Sequence, residues 1–123
     1  MNFVVVALGA MIGGLLRYIV SISFSSTVAG SFPWSTLAIN VVGSFFLGLV
    51  MQFAGERHLI GDSAKIFLTI GVIGSFTTFS TFSFEALSLF QSGEAVRGMI
   101  YIGASNVFSI LAAFGGYTLG KIF

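Results

Sequence analysis

Residues 71–85, GVIGSFTTFSTFSFE, carry a phenylalanine at every third position, Phe76, Phe79 and Phe82, set among hydroxyls and closed by a carboxylate, Glu85. A phenyl ring has a positive edge and a negative face. The edge can touch a small anion without a formal charge, and so weak a contact lets the ion leave again, as conduction requires. Two more polar stripes repeat at helical spacing. Thr36, Asn40 and Ser44 stand at i, i+4 and i+8 with Gly43 beside them; Tyr101, Ser105 and Ser109 do the same, with Asn106 one position off the stripe. Asn40 is the informative member, because its amide offers two donors and an acceptor and carries no charge. A Phe stripe also serves plain core packing, and hydroxyl stripes also serve hydrogen bonds between helices. Together with the rings, they point to a polar pathway for a small ion.

Composition dictates the elements that position these groups. Of 123 residues, 56% are hydrophobic and only 7% charged, against roughly 25% charged in a soluble domain. Four stretches, 3–24, 34–54, 64–90 and 96–123, are nearly free of charge. Each reaches the roughly 20 residues that a helix needs to cross a bilayer. The expectation is an all-α membrane protein with one four-helix transmembrane domain over 1–123. Short connections fall at 25–33, 55–63 and 91–95. Trp34 is placed as an interfacial anchor, and His58 reads as a solvated loop residue. The N-terminus does not read as a cleavable signal, since it lacks a basic leader and its apolar stretch is too long. Absent cysteines exclude disulfides and thiolate metal sites. A net charge of +1 excludes a nucleic-acid footprint. No nucleophile–base pair argues for an enzyme.

Gly71 and Gly74 weaken the third span, and its Ser/Thr run can bond freed backbone groups. A break there presents a half-helix N-terminus that favours anions and unwound carbonyls that can hold a cation. Gly9 and Gly13, Gly116 and Gly120, and Ser44 and Gly48 form small-xxx-small pairs, which allow close packing either within a subunit or between subunits. Four spans put Arg57, Lys65 and Lys121 on one side and Arg97 and Arg17 on the other, three Lys/Arg against two. So small an asymmetry leaves two options: one orientation on a weak signal, or insertion both ways.

The stretches GGLLRY (13–18), TLAINVVGSFFLG (36–48) and above all GSFTTFSTFSFE (74–85) resemble the Fluc family of small bacterial fluoride channels, and the four-helix layout is similar along the whole chain. The resemblance implies passive export of cytoplasmic fluoride across a bacterial inner membrane. It implies an antiparallel, dual-topology homodimer with two fluoride pathways, and a buried structural sodium ion held by backbone carbonyls at a break in the third helix. Phe79, Phe82 and Asn40 match the family's pore residues. Gly74 and Thr77 match its sodium-coordinating carbonyls. Thr36, Tyr101, Ser105 and Ser109 resemble its hydroxyl track, Ser80, Thr81 and Glu85 fall on pore-region positions, and Arg17 matches a vestibule arginine. The competing class, a proton-coupled multidrug transporter, needs a membrane carboxylate, typically in the first helix, where this chain has Arg17.

Overall fold

In an apolar medium a backbone must satisfy itself, and a helix does so within one segment. The computed structural model describes residues 1–25 and 32–123, and these are helical apart from short connections and one break. The helices are α1 (Asn2–Ser25), α2 (Trp34–Ala54), α3 (62–76), α4 (Phe79–Gln91) and α5 (Ala95–Ile122). They make four spans long and apolar enough to cross a membrane, the third being the bent pair α3–α4, Asp62–Gln91. Most of the first expected connection, 26–31, lies outside the described residues. The last connection is a turn in which Gly93 takes φ 78°, where glycine is at ease, and Glu94 N donates to Leu89 O at 2.8 Å.

α3 is not uniform. It opens as α-helix at Asp62–Ile66, widens to a π-helix over Phe67–Ile73, and tightens for one turn at Gly74–Phe76. Thr77 and Thr78 are extended, with ψ of 157° and 119°. The expected break near Gly74–Thr77 is therefore present, at the Thr77 end of that stretch. Gly71 is not the hinge, because it is needed for packing: a Cβ on it would stand 2.9 Å from Gly9 Cα. Gly74 keeps helical angles, φ −61° and ψ −33°. The residues that leave the helix are β-branched, a type whose stiff side chain suits extended backbone.

The small-residue pairs pack helices inside the chain. A Cβ on Gly9 would lie 2.7 Å from Phe67 O, and one on Gly13 would overlap the Val72 carbonyl, so α1 is pressed onto the π segment. Gly48 and Gly116 do the same for α2 and α5: their added Cβ atoms would overlap the carbonyls of Ala113 and Phe45. At one end of this pair, Glu56 accepts from Gln52 Nε2 at 3.0 Å and from Tyr117 Oη at 2.7 Å, and Arg57 donates to the Lys121 carbonyl. The bond from Gln52, and then that from Tyr117, hold the Glu56 carboxyl below its ordinary value. At the other end Phe82, Ala86, Leu89 and Tyr101 form a buried cluster with Phe32 and Leu37 against it.

Candidate functional site

The break sets the site. In an unbroken helix, Thr78 N would donate to the Gly74 carbonyl four residues back. Here it donates to Asn40 Oδ1 at 2.8 Å, and Asn40 Nδ2 donates to Thr78 O at 3.0 Å. Asn40 thus pairs with both backbone groups of one residue, as a neighbouring strand does. Thr78 Oγ1 accepts from Thr81 N at 3.2 Å and bonds Thr81 Oγ1 at 3.1 Å, capping α4. Thr81 N is thereby diverted from the Thr77 carbonyl. The Thr77 hydroxyl folds back onto Ile73 O at 3.0 Å. Gly43 makes room for the break, since a Cβ there would overlap Thr77 Cγ2.

A groove of about 280 Å³ opens beside the break. Asn40, Ser44, Gly74, Thr77, Thr78, Phe79, Phe82, Ser105, Asn106 and Ser109 are among the residues that line it. Phe79 is 75% exposed and Phe82 only 7%, although their ring centroids lie 5.5 Å apart. Phe82 backs onto Tyr101 at 5.1 Å, and Tyr101 meets Phe32 in a T-shaped contact at 5.4 Å. The rings make a ladder from the open groove into the cluster above it. Ser105 Oγ and Ser109 Oγ are buried and have no hydrogen-bond partner among the described residues. A buried unpaired hydroxyl costs about 1–3 kcal/mol, so both are open to hydrogen-bond a polar group in the groove.

Other expected site residues stand apart from this groove. Thr36 donates to Glu85 Oε1 on the far side of Phe82, and Tyr101 Oη lies beside both without a well-formed bond to either. Tyr101 links the two places through its ring and its stripe. Ser80 and Thr81 begin α4 and are exposed. Arg17 is half-buried on α1 and is not among the groove residues. Phe76 lines a separate apolar cavity of about 420 Å³ between α1, α2 and α3, away from Asn40. Among the described residues, no group of three or more His, Asp or Glu side chains could hold a metal ion. Any cation here must rely on neutral oxygens. The Gly74 and Thr77 carbonyls fit that need, because both have lost their helical donors and lie at the negative end of the α3 dipole.

Sequence reasoning passed over Thr78. The available signal was a hydroxyl placed three residues before another at the start of a helical repeat, the spacing of an N-cap. It also passed over the Gln52–Glu56–Tyr117 contacts, whose partners are far apart in sequence.

Residues 4–117 match the family described as "CrcB-like protein, Camphor Resistance (CrcB)". The chain is 46% identical over 121 residues to a "Fluoride-specific ion channel FluC" of Agrobacterium fabrum, covering 98% of this chain and 96% of that protein. It is 43% identical to a protein of that name from Thermus thermophilus, over 97% and 93% of the two chains. The similarly named protein of Magnetococcus marinus is 38% identical, over 95% of each.

Proposed function

We infer the function from one premise: the chain belongs to the CrcB-like protein family. It is a fluoride-selective channel that lets cytoplasmic fluoride leave a bacterial cell passively through the inner membrane. The observation that carries this reading is the uncharged groove at the break. Asn40, two unpartnered serine hydroxyls and the rings of Phe79 and Phe82 converge there without a Lys or Arg. Fluoride is small and strongly hydrated, so hydroxyl and amide donors can replace part of its shell and ring edges the rest. Contacts without a formal charge stay weak enough for the ion to leave again, as conduction requires.

The working unit is an antiparallel homodimer with two such pathways. Ser80, Thr81 and Ser83 are exposed on a membrane-spanning helix, and Phe79 stands open beside them. Polar side chains within a span must face protein or water rather than lipid, so these exposed hydroxyls support a second copy over this face. Near balance of Lys and Arg supports insertion in both directions. A structural sodium ion, held by the Gly74 and Thr77 carbonyls of both copies, satisfies oxygens that would otherwise be left without donors in a dry interior. The ligands are neutral, which suits a monovalent cation.

The test is efflux from loaded liposomes prepared in sodium, in lithium or in a large organic cation. Fluoride is expected to leave while chloride stays, fastest with sodium, and radioactive sodium is expected not to cross. Chloride leaving with fluoride would sink the selective channel. Equal fluoride efflux in all three cations, from protein freed of bound sodium, would remove the cation site alone.

A further inference from the structure

The α2–α5 pair has a second face, on the other side from the ion groove. There an apolar cleft runs between the helices as two adjoining cavities of about 450 and 590 Å³ that share Trp34, Leu37 and Phe108. Along α5 it passes Arg97, Ala104, Phe108 and Leu111. These positions form one stripe, and Ser105 and Ser109 point away from it. Between 97 and 111 the helix rises about 21 Å, more than one leaflet of a hydrocarbon core roughly 30 Å thick. The small side chain of Ala104 leaves room between larger neighbours.

The end of the cleft is not apolar. Arg97 closes it, and Arg97 Nε lies 3.7 Å from Glu94 Oε2, with the two side chains 52% and 46% exposed. This is a single long contact rather than a fork, so the guanidinium keeps donors for another acceptor and the carboxylate keeps lone pairs for another donor. A phosphate is the natural acceptor for an arginine fork. An ammonium is the matching donor for the carboxylate. Both charges, side by side above an apolar cleft of acyl length, make the complement of a zwitterionic lipid headgroup.

We propose that this cleft seats one acyl chain of a phospholipid bearing a primary ammonium, with its phosphate on Arg97 and its ammonium on Glu94. The pair recognises the headgroup, and the cleft recognises the chain. A glycerol headgroup brings only neutral hydroxyls to Glu94, so the carboxylate loses the charge-assisted bond that an ammonium supplies. A choline headgroup brings a cation with no N–H to donate.

The experiment is native mass spectrometry of the intact detergent-solubilised protein, incubated with equal amounts of phosphatidylethanolamine, phosphatidylglycerol and phosphatidylcholine. Ethanolamine lipid is expected to be retained about tenfold over the other two, the size of one charge-assisted hydrogen bond. Glu94→Gln should abolish the preference over the glycerol lipid, and Arg97→Gln should lower retention of all three. Glu94 precedes α5, with no side-chain cap bond to it, and Arg97 lies in its first turn; both are outside the buried cluster, and their substitutions should leave the fold intact. Equal retention of the three lipids by the unaltered protein would overturn the proposal, as would a preference that survives Glu94→Gln. Lipid carried by the monomer but excluded from a dimer would assign the cleft to the partner copy and overturn it as well.

Discussion

At the scale of single residues, Asn40 is tied to the break and also lines the groove. Two of its polar atoms are committed to Thr78, which leaves one amide hydrogen for the groove. Asn40→Ala should therefore cost stability as well as flux. It orphans the Thr78 N–H and C=O, at about 1–3 kcal/mol per buried group, which thermal unfolding in detergent would read. Asn40→Asp keeps an acceptor for Thr78 N but loses the donor to Thr78 O and sets a carboxylate in the groove. Its fluoride efflux should fall below that of Asn40→Ala. The rings separate in the same way. Phe82 is buried against Tyr101, so its loss mixes packing with conduction. Phe79 is largely open within one copy, so Phe79→Ile should leave the subunit's own packing intact while efflux drops sharply. Unchanged efflux in folded Phe79→Ile would return the phenylalanine stripe to plain packing.

At the scale of elements, backbone contact between helices decides the architecture. Gly116→Ala drives a methyl into the Phe45 carbonyl and should cost about 1–3 kcal/mol or more, as overpacking does. Gly14→Ala meets nothing within 4 Å and should be neutral or stabilising by up to about 1 kcal/mol through helix propensity. Equal melting shifts for the two would mean that the α2–α5 contact is looser than its geometry. The break shows what a sequence can and cannot reveal at this scale. Glycines and hydroxyls in an apolar run signalled a discontinuity, but not whether glycine or threonine would supply it. The answer depended on Gly9, far away in sequence, whose approach holds Gly71 inside the π segment. The small-xxx-small pairs were legible as contacts, and only packing could show that they join α1 to α3 and α2 to α5.

At the scale of the whole molecule, four spans followed from composition, because so few charges leave no soluble alternative. The polar stripes were legible as stripes, and the structure brings their members to two places, the groove and the Thr36–Glu85 contact beside Tyr101. Assembly was legible only as a near tie in charge. If both orientations occur, single cysteines placed at 58 should react with an impermeant thiol reagent from both sides of the membrane in one population of cells. Reaction from one side alone would dissolve the antiparallel arrangement and leave the exposed hydroxyls of α4 without their partner.

Passive, selective conduction of fluoride is the central proposal, and the reversal potential measures it most directly. With fluoride unequal across a planar bilayer containing the protein, and chloride and pH varied independently, the current is expected to reverse at the equilibrium potential of fluoride, whatever the chloride or proton gradient. Reversal that follows the proton gradient, or that moves with chloride, would contradict it.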